Sequence, residues 1–83
     1  MDKQTAYQVL VEQLEALAAQ DKKMFPVEKT VPGATHEFFT LTVRLEERSK
    51  GAVLIGQIRG SNPHKFQMIE ERIRWRGDQR GSN

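Results

Sequence analysis

The chain has 83 residues, 37% of them hydrophobic and 29% charged, with 13 Lys and Arg against 11 Asp and Glu for a net charge of +2. That is chain enough for one domain, with no run approaching the ~18–20 apolar residues of a membrane-spanning helix and a charge too balanced for wholesale disorder. The lack of cysteine excludes disulfides, thiolate metal sites and cysteine nucleophiles.

The first element is an amphipathic helix over residues 5–20. Thr5 and Gln8 have the spacing of a capping box. Tyr7, Leu10, Val11, Leu14, Leu17 and Ala18 then recur at helical spacing, within an arc of about 120°. Gln8, Glu12, Glu15 and Ala19 lie outside that arc, and Asp21-Lys22-Lys23 ends the helix. Upstream, Met1-Asp2-Lys3-Gln4 holds no apolar export segment, so the expected location is cytoplasmic.

Phe25, Val27 and Val31 alternate with Pro26, Glu28 and Thr30. This predicts a short strand, which Pro26 restricts to a sheet edge or a strand start. Residues 31–37 read as a loop, with Pro32-Gly33 as its turn signal. From Phe38 to Glu46, Phe39, Leu41, Val43 and Leu45 share one face; Thr40, Thr42 and Arg44 share the other. Period two with β-branched and aromatic content is the pattern of a half-buried strand. Residues 46–51 read as a charged hairpin loop, and Ala52 to Arg59 as a third strand. Gly56 within that strand marks a bulge or a close approach by a neighbour.

Ser61-Asn62-Pro63 is a breaker that also suits the start of a helix. The following segment fits two periods. As a helix, Phe66, Ile69 and Ile73 share a face. As a strand, Ile69, Ile73 and Trp75 do, with Glu71 intruding. The helix formers Met68, Glu70, Glu71 and Arg72 favour a helix over residues 61–76. The expected fold is α+β in the order α-β-β-β-α, a three-stranded antiparallel sheet with helices on one face; the alternative is α-β-β-β-β. One domain spans residues 1–76. Residues 77–83 contain no apolar side chain and read as a flexible tail.

Catalytic chemistry finds little to build on. His36 and His64 are the two histidines, and both fall at element edges. No phosphate loop, zinc-protease helix or nucleophile elbow is present. Adjacent Glu46-Glu47 and Glu70-Glu71 point apart on any regular element. The expectation is a binding module without enzymatic activity, cofactor or metal.

Charge is uneven along the chain. Residues 1–58 carry 7 basic and 8 acidic groups, and residues 59–83 carry 6 and 3. Arg72, Arg74, Arg76 and Arg80 surround Trp75, and arginine interleaved with an aromatic ring can contact phosphates and stack on bases. The plainer reading has Trp75 sealing the edge of the core.

The expected element order resembles the double-stranded RNA-binding domain. Pro32-Gly33-Ala34-Thr35-His36 is similar to that family's loop between its first two strands. Phe39-Thr40-Leu41-Thr42-Val43 follows it as the second strand, and Gly56-Gln57-Ile58-Arg59-Gly60-Ser61 is similar to the glycine-bearing junction before its second helix. The family's lysine cluster is represented by Lys65, with Arg59 nearby. The resemblance implies a structured-RNA partner. Gln8 and Glu12 would face ribose hydroxyls, His36 would enter a second minor groove, and Arg59 and Lys65 would touch phosphate, with Arg72 and Arg76 as further contacts. The rival expectation is a protein partner, met by the apolar residues Met68 and Trp75. A domain this small also gains from self-association, so a homodimer is a third candidate assembly.

Overall fold

The computed structural model describes residues 3–33, 37–61 and 68–77. One helix, α1 (Lys3–Leu17), is followed by a 3₁₀ turn at Lys22–Met24 and four strands. These are β1 (Val27–Pro32), β2 (Phe38–Arg48), β3 (Gly51–Gly60) and β4 (Ile69–Arg74). The strands form one antiparallel sheet in the order β1-β2-β3-β4. The architecture is α+β, α-β-β-β-β, with α1 packed on one sheet face, mainly over β3 and β4.

The helix starts at Lys3. Thr5 therefore sits inside the first turn, which corrects the capping box expected from Thr5 and Gln8. Its buried stripe is Ala6, Leu10, Leu14 and Leu17, continued by Ala18. Tyr7 is 42% exposed at the border of that stripe. Asp21 caps the 3₁₀ turn by accepting from the Lys23 amide at 2.8 Å.

The alternation of β2 holds. Phe39, Leu41 and Val43 are buried on the helix side, and Leu45 is half-buried there. Leu41 stands opposite Ile58 and Leu45 opposite Leu54, which carries the same layer into β3. The hairpin loop is shorter than expected. Arg48 pairs with Gly51, so only Ser49 and Lys50 lie between the strands, and Glu46 and Glu47 belong to β2. Gly51 takes φ +123°, a backbone region that side chains avoid.

The last segment departs from the expected helix. Residues 69–74 pair antiparallel with β3, from Ile58 opposite Ile69 to Val53 opposite Arg74. Pairing wins over helix propensity for two reasons. It places Ile69 and Ile73 beside Ile58 and Leu54 on the helix-side face. It also covers the edge of β3, which a terminal helix would leave as a bare row of donors and acceptors. The helix-start signal at Asn62-Pro63 and the expected core residue Phe66 lie outside the described residues. The double-stranded RNA-binding domain ends on a helix, so β4 removes the topology on which that resemblance stood.

Gly56 explains how α1 sits on the sheet. A Cβ at this position would fall 2.8 Å from Leu14 Cδ2 and 2.9 Å from Leu10 Cδ1. Both leucines are fully buried. The missing side chain thus forms the seat into which the helix packs. Gly56→Val adds three carbons to a filled site, and overpacking of this kind costs about 1–3 kcal/mol. Urea denaturation is expected to show that loss. An unchanged midpoint would place the helix elsewhere on the sheet.

Candidate interaction surfaces

Because α1 covers one face of the sheet, the other face is bare and its side chains follow from the register. Six cross-strand rows run over it. They are Pro32 and Phe38; Thr30, Thr40 and Arg59; Glu28, Thr42, Gln57 and Glu70; Arg44, Ile55 and Arg72; Glu46, Val53 and Arg74; and Arg48 and Gly51. Five arginines are thereby interleaved with three glutamates.

Ile55 is 1% exposed although it points away from the helix-side core. Arg44 and Arg72 stand on either side of it in register. The aliphatic stems of arginines cover apolar surface while their guanidinium groups stay wet. Gln57 Nε2 donates to Glu70 at 2.8 Å, and Arg72 pairs with the same carboxylate at 2.9 Å. The Gln57 hydrogen bond, with the charges of Arg72 and Arg44, holds Glu70 below the usual carboxylate range. Arg59 and Arg74 form no ion pair among the described residues. A shallow depression of about 250 Å³ lies between Glu28, Thr40, Thr42, Gln57 and Arg59. A second, of about 210 Å³, lies at the hairpin end beside Arg48, Lys50, Val53 and Arg74.

The residues singled out for RNA do not share a face. Gln8 and Glu12 are exposed on α1, on the layer opposite Arg59 and Arg72. Arg76 follows β4, and its amide donates to the Ala18 carbonyl at 2.7 Å. His36 and Lys65 lie outside the described residues. Among the described residues no cluster of three His, Asp or Glu side chains could hold a metal ion, and no helix is long and apolar enough to cross a membrane.

The two residues singled out for protein contact separate as well. Met68 is 40% exposed. It directly precedes β4, and extending the register brings it beside Arg59 on the bare face. Trp75 is buried. Its indole N–H donates to the Gln20 carbonyl at 2.8 Å, and its amide donates to the Ala52 carbonyl at 2.9 Å. Lys22 Nζ lies 5.4 Å from the ring centroid, within reach of a cation–π attraction. Lys22 also pairs with Glu47, whose carboxyl it holds below the usual range. Trp75 therefore ties the turn after α1 to the sheet, and it is buried at the end of a strand where the plainer reading of the sequence had it seal the core from a helix.

Sequence reasoning missed the link between α1 and β4. Tyr7 Oη donates to Glu71 Oε2 at 2.7 Å, and Glu71 Oε1 accepts the Arg72 amide at 2.9 Å. The signal available was Glu71 itself, a charge intruding on the apolar face of a strand pattern. Comparison with family models, curated proteins and solved structures gives no match for the chain.

Two outcomes are expected. The Arg72 amide and Tyr7 hydroxyl lower the Glu71 pKa, and the same carboxylate raises that of Tyr7. A lowered folded pKa contributes stability above the ordinary carboxylate pKa, lost as pH falls through the folded value. Tyr7→Phe should therefore move the Glu71 titration upward in an NMR pH series; an unmoved titration would show that the hydroxyl bond is absent in solution. Trp75→Ala should cost about 3–5 kcal/mol in chemical denaturation, as loss of a buried aromatic does.

Proposed function

We propose that this chain is a non-enzymatic protein-binding module whose recognition surface is the bare sheet face, and that its partner presents carboxylates to Arg59 and Arg74. The observation that carries this reading is the interleaving of sign. A polyphosphate backbone is gripped by cations along its path, and Glu28, Glu46 and Glu70 interrupt any such path across the face. A protein surface can match both signs, and mixed complementarity of this kind fixes register and partner choice. Arginine and exposed methionine are also enriched at protein interfaces, and Arg59 and Met68 stand at one end of this face.

Arg59 and Arg74, with Arg44 between them, are the arginines of this face without an ion pair among the described residues. Glu70 is already satisfied by Gln57 and Arg72, and Glu46 by Arg48. Phe38, 49% exposed on the same face, supplies an apolar contact. Structured RNA, the rival partner, would need Gln8 and Glu12 on the helix layer together with Arg59 and Arg72 on the bare face.

The test is a pair of NMR titrations at ~50 and ~200 mM salt, one with a synthetic peptide of alternating Glu and Thr, the other with duplex RNA of ~16 base pairs. The peptide is expected to shift the amides of β3 and β4 and the side-chain signals of Arg59 and Arg74. Arg59→Glu combined with Arg74→Glu should abolish those shifts and leave the fold intact. Duplex RNA that binds at the lower salt, weakens steeply at the higher and perturbs Gln8, Glu12, Arg59 and Arg72 would overturn the proposal in favour of RNA.

A further inference from the structure

The two edges of the sheet are treated differently. On β4, Trp75 N–H points to the Ala52 carbonyl, so odd-numbered residues face β3 and the amides of residues 70, 72 and 74 face outward. The middle one, Arg72 N–H, is taken by the Glu71 carboxylate, which Tyr7 holds from the helix. A charged side chain folded over an edge is a common defence against strand addition.

On β1 the same bookkeeping leaves the edge open. Gly33 N–H donates to the Glu37 carbonyl at 2.9 Å, so odd-numbered residues face β2. Glu28 and Thr30 therefore point their N–H and C=O outward, and Pro32 points a carbonyl outward with no N–H. Among the described residues nothing accepts from Glu28 N–H or Thr30 N–H. The flank beside this edge is partly apolar, with Val27 and Val31 on either side of exposed Lys29. Because α1 leans over β3 and β4, Val27 and Val31 are only half-buried on the helix side.

We infer that β1 is a homodimerisation edge, on which a second copy of this chain adds its own β1 antiparallel across a two-fold axis centred on Thr30. The edge is self-complementary in that register. Thr30 N–H donates to the partner's Thr30 carbonyl and receives the reciprocal bond. Glu28 N–H donates to the partner's Pro32 carbonyl, again twice by symmetry. Both outward donors of each β1 are then satisfied, and the missing N–H of Pro32 costs no donor. The side chains agree. Thr30 meets Thr30 on the bare face, a favourable cross-strand pair. On the helix side Lys29 meets Val31, and its stem can cover the exposed valine. Of the two neighbouring two-fold registers, the one centred on Lys29 sets like charges directly opposite, which is destabilising. The one centred on Val31 pairs Thr30 with Pro32, which has no N–H to return. Lys29 and Pro32 together thus favour the register centred on Thr30. The product is a closed two-fold dimer with a continuous eight-stranded sheet.

This inference is independent of the partner proposed for the bare face. It is tested by sedimentation equilibrium on the intact chain and on two variants. Thr30→Pro removes an N–H that is unbonded in the monomer, at an edge position that tolerates proline. Thr30→Ala keeps the N–H. Wild type and Thr30→Ala are expected to dimerise. Thr30→Pro should weaken the dimer about tenfold or more, since two of its four interchain bonds are lost. Hydrogen exchange of the wild-type chain supplies a measurement that needs no variant to fold. The Glu28 and Thr30 amides should be protected where the dimer is populated and exchange freely on dilution. A chain that stays monomeric to ~1 mM overturns the inference and leaves the edge to a strand of another protein. A dimer in which those two amides exchange freely overturns it too, whatever the variants do, because another face must then hold the copies together.

Discussion

Leu10 and Leu14 rest on the bare backbone of Gly56, and most of the structure follows from that contact. A side chain at this point of β3 would lift the helix off the sheet. Its absence lets α1 settle over β3 and β4, where its buried stripe meets Leu54, Ile58 and Ile69 in one core. The position of the helix then decides which side chains at its borders find partners. Tyr7 reaches Glu71 on β4. The far side of the sheet receives less cover, and Val27 and Val31 on β1 stay half-exposed.

The end of the helix is fixed by a second, polar arrangement. The Trp75 ring is held at the level of Gln20 by its indole hydrogen bond, and the Arg76 amide bonds Ala18. Lys22 lies over the ring and pairs with Glu47 on β2. The segment between helix and sheet is thus joined to β2 and to the strand end after β4, two elements distant in sequence. In a chain without disulfides, such long-range ties stand where a covalent staple would in other small domains.

The sequence was legible where periodicity and burial agree. The stripe of α1 and the alternation of β2 each have a single reading, and Gly56 announced a close neighbour correctly. β4 was misread for a physical reason. Met68, Glu70, Glu71 and Arg72 are good helix formers, but propensity is a weak prior against the need of β3 for a partner. Glu71 spoiled the strand alternation because it is an edge residue with a partner on another element, and no local pattern reveals such a partner. The arginine-rich end of the chain was visible as composition. Its distribution was not, since the register decides that Arg72 and Arg74 fall on the bare face among glutamates, whereas Trp75 turns inward. The RNA expectation drew on the basic C-terminal third and on a resemblance to a domain that ends on a helix, and β4 takes away the second of these.

The asymmetry of the two edges follows from the same seat on Gly56. A helix centred on the sheet would cover β1 and β4 alike and defend neither edge with its side chains. Leaning toward β4, it brings Tyr7 to Glu71, and that carboxylate then occupies the outward amide of Arg72. The opposite edge is left with free backbone donors and a partly bare apolar flank. Protection of one edge and availability of the other are therefore a single consequence of helix placement. Pro32 and Lys29 restrict how the available edge can be used: the proline ends the run of donors, and the lysine opposes any alignment that would set it against its own copy. An edge meant to stay unpaired would need a blocking group over Glu28 and Thr30 as well. Among the described residues one lies over Arg72 and none over Glu28 or Thr30, so the β1 edge is limited in register but open to pairing.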